Sequence, residues 1–149
     1  MKLRIEVDEK IQEDEIVIKC KEIDSNIENI KKVFSEMISK QKDIIFYKDE
    51  KEFYLSLDDV LFFETEGNRV SAHTHTECYR VKYKLYELEE ILPKNFCRIS
   101  KSTILNVNHI YSISKNITGV SLVEFQETYK KVYVSRYYYK ILKNILGKR

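Results

Sequence analysis

The sequence predicts a mainly β protein, a sandwich or a set of small stacked sheets, preceded by a short β-β-α leader. Three observations carry that prediction. Short segments rich in Val, Ile, Tyr, Phe and Thr recur from residue 44 to residue 134, as in domains built from many brief strands. Turn-forming groups punctuate them: Lys48-Asp49-Glu50, Glu66-Gly67-Asn68 and Lys115-Asn116. Helical periodicity is confined to stretches near residues 25–41, 85–92 and 135–147.

Residues 2–7 (KLRIEV) and 15–20 (EIVIKC) alternate with period two and read as strands. Ser25 followed by Glu28 fits a capping box, in which each side chain satisfies an orphan N–H at a helix start. Ile27, Ile30, Phe34, Met37 and Ile38 follow at helical spacing, so an amphipathic helix is expected over 25–41. Its stripe needs a partner surface, and intramolecular packing meets that need without a second chain. Lys42-Asp43 is the expected joint between an extension, 1–44, and a main domain, 45–149.

Within the main domain, strands are expected at 44–47, 52–57, 59–65, 69–75, 79–84, 96–99, 103–106, 109–114, 118–125 and 130–134. A helix over Leu85–Leu92 places Leu85, Leu88 and Leu92 on one side, and Pro93 ends it. A last helix starts near Ser135, a good N-cap, and carries Ile141, Leu142 and Ile145 towards Gly147.

Composition narrows the function. The chain has 149 residues and is 43% apolar, enough to bury a core and too much for a disordered chain. The first ten residues lack the apolar stretch of a secretory leader. Apolar runs such as Val60-Leu61-Phe62-Phe63 are far too short to span a bilayer. Cys20, Cys78 and Cys97 are scattered and odd in number, which suits reduced thiols and a cytoplasmic protein. Charge is segregated: residues 94–149 hold 11 Lys+Arg against 2 Asp+Glu, or +9, whereas residues 1–93 hold 15 against 22, or −7. Such a split suits a polyanionic partner.

Metal and catalytic chemistry find little support. In the stretch SAHTHTECYR (71–80), His73 and His75 share strand parity with Glu77, while Cys78 has the opposite parity and is expected to point away. No second His/Cys cluster completes a zinc site, so no metal and no cofactor are expected. There is no glycine-rich phosphate cradle and no nucleophile elbow. Cys97 and His109 read as core strand residues rather than a nucleophile and its base. No enzyme and no small-molecule substrate are expected.

Three polar, basic clusters remain: Gly67-Asn68-Arg69, the run from Arg98 through Lys101 and Ser102 to Asn106, and Val134-Ser135-Arg136-Tyr137. Arg and Lys neutralise phosphates or donate to guanine, Asn pairs with adenine, and a helix start such as Ser135 favours phosphate. Ser135 as a mere cap and Asn106 as a mere turn-closer are the plain alternatives.

Together these residues carry a resemblance. Leu57, Asp59, Val60, Leu61, Phe63 and Glu64, followed by Gly67-Asn68-Arg69-Val70, resemble the start of the LytTR DNA-binding domain. So do Tyr83, Leu85, Glu87, Leu88, Glu89 and Leu92, then Phe96, Arg98, Ile99 and Lys101 to Asn106 with His109-Ile110, and finally Val134 to Tyr138. The match runs over about residues 45–147 in order. It implies small stacked antiparallel sheets and a sequence-specific bacterial transcription regulator. Its inter-strand loops would enter successive major grooves of double-stranded DNA. Family contacts fall here at Asn68 and Arg69, at Lys101 and Ser102, and at Arg136 and Tyr137; Arg98 lies in the middle cluster. The residue before the middle cation is often His in this family and is Ser100 here. The 44 leading residues are too few for a phosphorylated receiver domain, so the chain looks like a stand-alone member, expected to act as a homodimer and with a regulatory membrane-protein partner. The rival reading is a protein-interaction or signalling module that keeps the fold without specific DNA binding.

Overall fold

The computed structural model describes residues 1–38 and 44–147. The chain divides into two compact units, Met1–Lys40 and Gln41–Arg149. In the first, one helix is present, α1 (Ser25–Ile38). Its cap is Asp24 and not Ser25: the Asp24 carboxylate accepts from the Ile27 N–H at 2.9 Å, and Ser25 is already the first helical residue. Either side chain can cap a helix; the structure places the start one residue earlier than the capping-box pattern does.

The strands expected at 2–7 and 15–20 are absent. Period-two alternation says which residues would share a face, but a strand exists only through a ladder partner. Between the two segments the chain makes a local turn, with the Lys10 and Ile11 N–H groups both bonded to Asp8. Ile5 and Val7 stay 80% and 91% exposed. The β-β part of the leader is therefore replaced by irregular chain. The expected joint at Lys42-Asp43 lies outside the described residues.

The second unit has the expected strands: β1 (Phe46–Lys48), β2 (Lys51–Phe53), β3 (Phe62–Glu66), β4 (Arg69–His73), β5 (Cys78–Val81), β6 (Phe96–Arg98), β7 (Thr103–Asn106), β8 (Ile110–Lys115), β9 (Ser121–Phe125) and β10 (Lys131–Val134). Helix α2 (Leu85–Ile91) follows β5, and α3 (Arg136–Gly147) follows β10. Among the described residues the strands form a seven-stranded sheet, ordered β2-β1-β5-β4-β3-β7-β6, and a three-stranded sheet, ordered β10-β9-β8. Every pairing is antiparallel.

The large sheet separates two cores. Phe63 and Ile104 are register partners on β3 and β7, and both join a core with Phe46, Val70, Ala72, Val81 and the α2 residues Leu85 and Leu88. Phe62 and Leu105 are the next pair and join the opposite core, with Val123, Phe125, Val132, Val134 and Leu142. Strands covered on both faces read as continuous apolar runs, which explains Val60–Phe63 and Ile104-Leu105. Full burial of each such side chain contributes about 1.5–3 kcal/mol.

Asn106 closes this arrangement from inside. It is 1% exposed. Its Nδ2 donates to the Val60 carbonyl at 2.9 Å, and its Oδ1 accepts from Asn95 Nδ2 at 2.9 Å and from the Asn108 N–H at 3.1 Å. Asn106 is thus a structural pin rather than a base reader.

Candidate nucleic-acid interface

The first cluster sits on the β3–β4 hairpin. Glu66 and Arg69 are register partners, so Gly67-Asn68 is a two-residue loop. Gly67 has φ +61°, the conformation that a two-residue hairpin of the II′ kind requires at its first position. Asn68 and Arg69 are exposed, and their side chains make no polar contact among the described residues.

The second cluster lies on the β6–β7 loop, closed where the Ile99 N–H donates to the Thr103 carbonyl at 3.0 Å. Because β7 pairs with β3, this loop emerges beside the hairpin tip. The Thr65 N–H donates to the Ser102 carbonyl at 2.8 Å, two residues before Gly67. Lys101 is exposed with no side-chain partner among the described residues; Ser102 is exposed and its hydroxyl lies 3.3 Å from that of Ser100. Arg98 behaves differently. Its Nε donates to the Ser100 carbonyl at 2.7 Å, its Nη2 to the Lys101 carbonyl, and its Nη1 to the Glu89 carboxylate on α2.

The third cluster joins the same end. The Ser135 N–H donates to the Ile99 carbonyl at 2.9 Å, which fixes the start of α3 against the β6–β7 loop. Ser135 caps α3: its carbonyl accepts from the Tyr139 N–H at 3.0 Å, while its hydroxyl is a long 3.5 Å from the Tyr138 N–H. Arg136 and Tyr137 are the first helical residues and both are exposed. The Arg136 guanidinium donates through Nε, at 3.0 Å, and through Nη2 to the Thr118 carbonyl in the β8–β9 turn. It lies over Gly119, where a Cβ would overlap it. One end of the unit therefore gathers the hairpin tip, the β6–β7 loop, the start of α3 and the β8–β9 turn.

The stretch 71–80 resolves differently from its sequence parity. β4 ends at His73, and the Thr74 N–H donates to the Glu77 carbonyl at 3.0 Å to close a turn. Alternation holds only while a strand continues, so the turn resets it. Cys78 becomes the register partner of His73 and shares its face, which overturns the expectation that it points away. His75 leaves the sheet and meets His109 edge-on, ring centroids 5.4 Å apart. Glu77 pairs with Lys48.

His73 stacks on Phe62 at 4.3 Å, and its Nε2 lies 3.7 Å from Glu64 Oε2 and 3.8 Å from Cys78 Sγ. Burial, aided by the charge of Lys130, lowers its pKa to about 4, so the ring is neutral at pH 7. Burial, with Glu66 beside it, pushes the Glu64 carboxyl up. Glu64, Glu66 and His73 bring ligand atoms within 4.8 Å of one another. A ligating imidazole almost always donates its second N–H to an acceptor. His73 Nδ1 is buried with no hydrogen-bond partner among the described residues. We assign no metal to this cluster.

Some of the C-terminal positive charge serves the fold. Lys130 donates from Nζ to the carbonyls of Thr74 at 2.8 Å and Glu77 at 2.6 Å, stapling the small sheet to the β4–β5 turn, and burial lowers its pKa. Glu89 and Thr118 were not foreseen as supports of the loop end, nor was Lys130 as the staple at the opposite end of β4. Gly119, in a turn between two strands, was the one detectable signal among these positions.

The family model described as the LytTr DNA-binding domain matches residues 50–147. The chain belongs to the LytTR family. The LytTR fold itself is matched by a solved domain from Bacillus cereus, described as the LytTr DNA-binding domain of a methyl-accepting/DNA response regulator. That domain is 26% identical with a TM-score of 0.66, covering 71% of this chain and 98% of the other. An uncharacterised HTH-type transcriptional regulator of Staphylococcus aureus strain NCTC 8325 is 29% identical over 147 residues, 99% of each chain. Its counterpart in strain MRSA252 is 27% identical over the same span. A helix-turn-helix needs two helices joined by a short turn. Among the described residues of this LytTR protein, β1–β5 separate α1 from α2 and β6–β10 separate α2 from α3. The chain thus carries a DNA-binding regulator domain of the mainly β kind. No helix among the described residues is long and apolar enough to cross a membrane.

Proposed function

We propose that this LytTR domain is a sequence-specific transcription regulator whose loops read the major groove of double-stranded DNA. The observation that carries the reading is the convergence of separate loops at one end, with Asn68, Arg69 and Lys101 offering exposed side chains that have no polar partner among the described residues. In this reading Asn68, Lys101 and Arg136 address base edges. Arg69, Ser102 and Tyr137, with the start of α3, hold phosphates and set register. The Thr118 carbonyl takes Nε and one Nη2 hydrogen of Arg136 and so orients the guanidinium, while Nη1 and the second Nη2 hydrogen form the edge that suits guanine. The protein works in the cytoplasm, as a homodimer on paired half-sites, under control of a membrane-protein partner.

Binding to a duplex from upstream of the protein's own coding region, against a scrambled duplex across a salt series, tests this. The expected result is preference for the first duplex, with log K falling by about 0.9 per phosphate neutralised for each unit of log salt. Lys101→Ala or Arg136→Ala should cost about 1–3 kcal/mol on the preferred duplex. Equal binding to both duplexes would refute specific readout, and no binding at low salt would favour the interaction-module reading.

A further inference from the structure

The geometry points to Arg98 as a positioning residue that shapes the β6–β7 loop, with Glu89 of α2 as its anchor, and not as a DNA contact itself. This deepens the reading above and rests on it. Three of the guanidinium's nitrogens are engaged: Nε on the Ser100 carbonyl, Nη2 on the Lys101 carbonyl and Nη1 on Glu89. The Arg98 side chain keeps only 20% of its exposure, whereas its partner carboxylate keeps 46%. A phosphate-binding arginine needs its fork turned outwards. This fork is turned into the loop, and its charge is met by a carboxylate. The carbonyls it holds belong to the residues on either side of the Ser100–Lys101 peptide, so the guanidinium dictates how Lys101 leaves the loop. Glu89 stands on a helix whose Leu85 and Leu88 are locked in a core. The chain of support runs from a buried helix through Glu89 and Arg98 to the exposed Lys101. Lysine cannot reproduce it, since an ammonium is a point charge without a planar fork.

The test compares wild type with Arg98→Lys, Arg98→Ala, Glu89→Gln and Lys101→Ala on the preferred and scrambled duplexes across salt. If Arg98 positions the loop, Arg98→Lys keeps the charge yet lowers the preferred-to-scrambled ratio about tenfold, within the loss expected for one base contact. The salt slope stays unchanged. Lys101→Ala then adds little in the Arg98→Ala background, because both changes remove the same contact. Glu89→Gln removes a negative charge, which alone would strengthen binding to a polyanion; the positioning role predicts a weaker ratio instead. Far-UV circular dichroism and melting temperature of Arg98→Lys, within a few degrees of wild type, would exclude global unfolding as the cause. If Arg98→Lys restores full discrimination, or Arg98→Ala lowers the salt slope by about 0.9, Arg98 is a phosphate contact and the inference falls while the DNA reading stands. If wild type itself shows no preference, both fall.

Discussion

Strands β3 and β7 and the N-terminal segments 2–7 and 15–20 look alike on paper, yet only the first pair forms ladders. Both sets are short and rich in β-branched or aromatic residues. What differs is cover. Phe62 and Phe63 each meet a separate core, 3% and 0% exposed, whereas Ile5 and Val7 alternate with Arg4 and Glu6 and remain in solvent. Alternating residues propose a face; a second layer must accept it before the backbone gains a partner and the entropy of ordering is offset.

Emptying the covered side should cost the protein most. Phe63→Ala should cost about 3–5 kcal/mol, because truncating a buried Phe also leaves a cavity in the core that β3 shares with α2. Urea unfolding measures it. A loss under about 1 kcal/mol would mean that the two-core account overstates the packing at that point.

The polar margin of the same sheet gives a smaller effect, tied to pH. His73 has a folded pKa of about 4, below its ordinary 6.5. The unfolded chain therefore binds the extra proton between these values, and stability rises with pH across that window. Acidifying from pH 7 to pH 4.5 should remove on the order of 2 kcal/mol through this residue. His73→Gln should flatten that part of the profile. An unchanged profile would show that the ring is more hydrated than its stacking on Phe62 implies.

Smaller again is the turn beside Arg136. Gly119 has φ +83° and no room for a Cβ beneath the guanidinium. Gly119→Ala should cost about 1 kcal/mol of stability, since the left-handed region disfavours a Cβ. It should also reduce discrimination between duplexes by freeing Arg136 from Thr118. Stability lost with discrimination intact would mean that the Thr118 bond is incidental to DNA reading.

These positions also show what sequence could and could not disclose. The strands of the second unit were legible because glycine, asparagine and charged turn residues bracket each apolar run, as at Glu66-Gly67-Asn68. The α2 start was legible in its leucines; that Glu87 caps it, accepting from the Lys84 N–H at 3.1 Å, was not. Pairing order was not legible: β5 lies between β1 and β4, a choice settled by packing over long separations. Nor were Arg98 with Glu89, or Arg136 with Thr118. Those contacts join residues whose proximity exists only after the loops converge. Cys78 was misplaced for a simpler reason: its parity was counted through a turn.

The smallest expected effect lies on the uncovered side of the comparison. Ile5→Ser replaces a side chain that is 80% exposed, so the stability of the protein should change by less than about 0.5 kcal/mol. Measuring unfolding at two protein concentrations makes the result decisive. A small change at both would confirm that segment 2–7 contributes little buried area. A loss above about 1 kcal/mol that grows with concentration would show that a second copy covers Ile5, since stability that depends on protein concentration is the mark of association. The alternating pattern would then be a strand awaiting its partner, and the proposed homodimer would have its first contact.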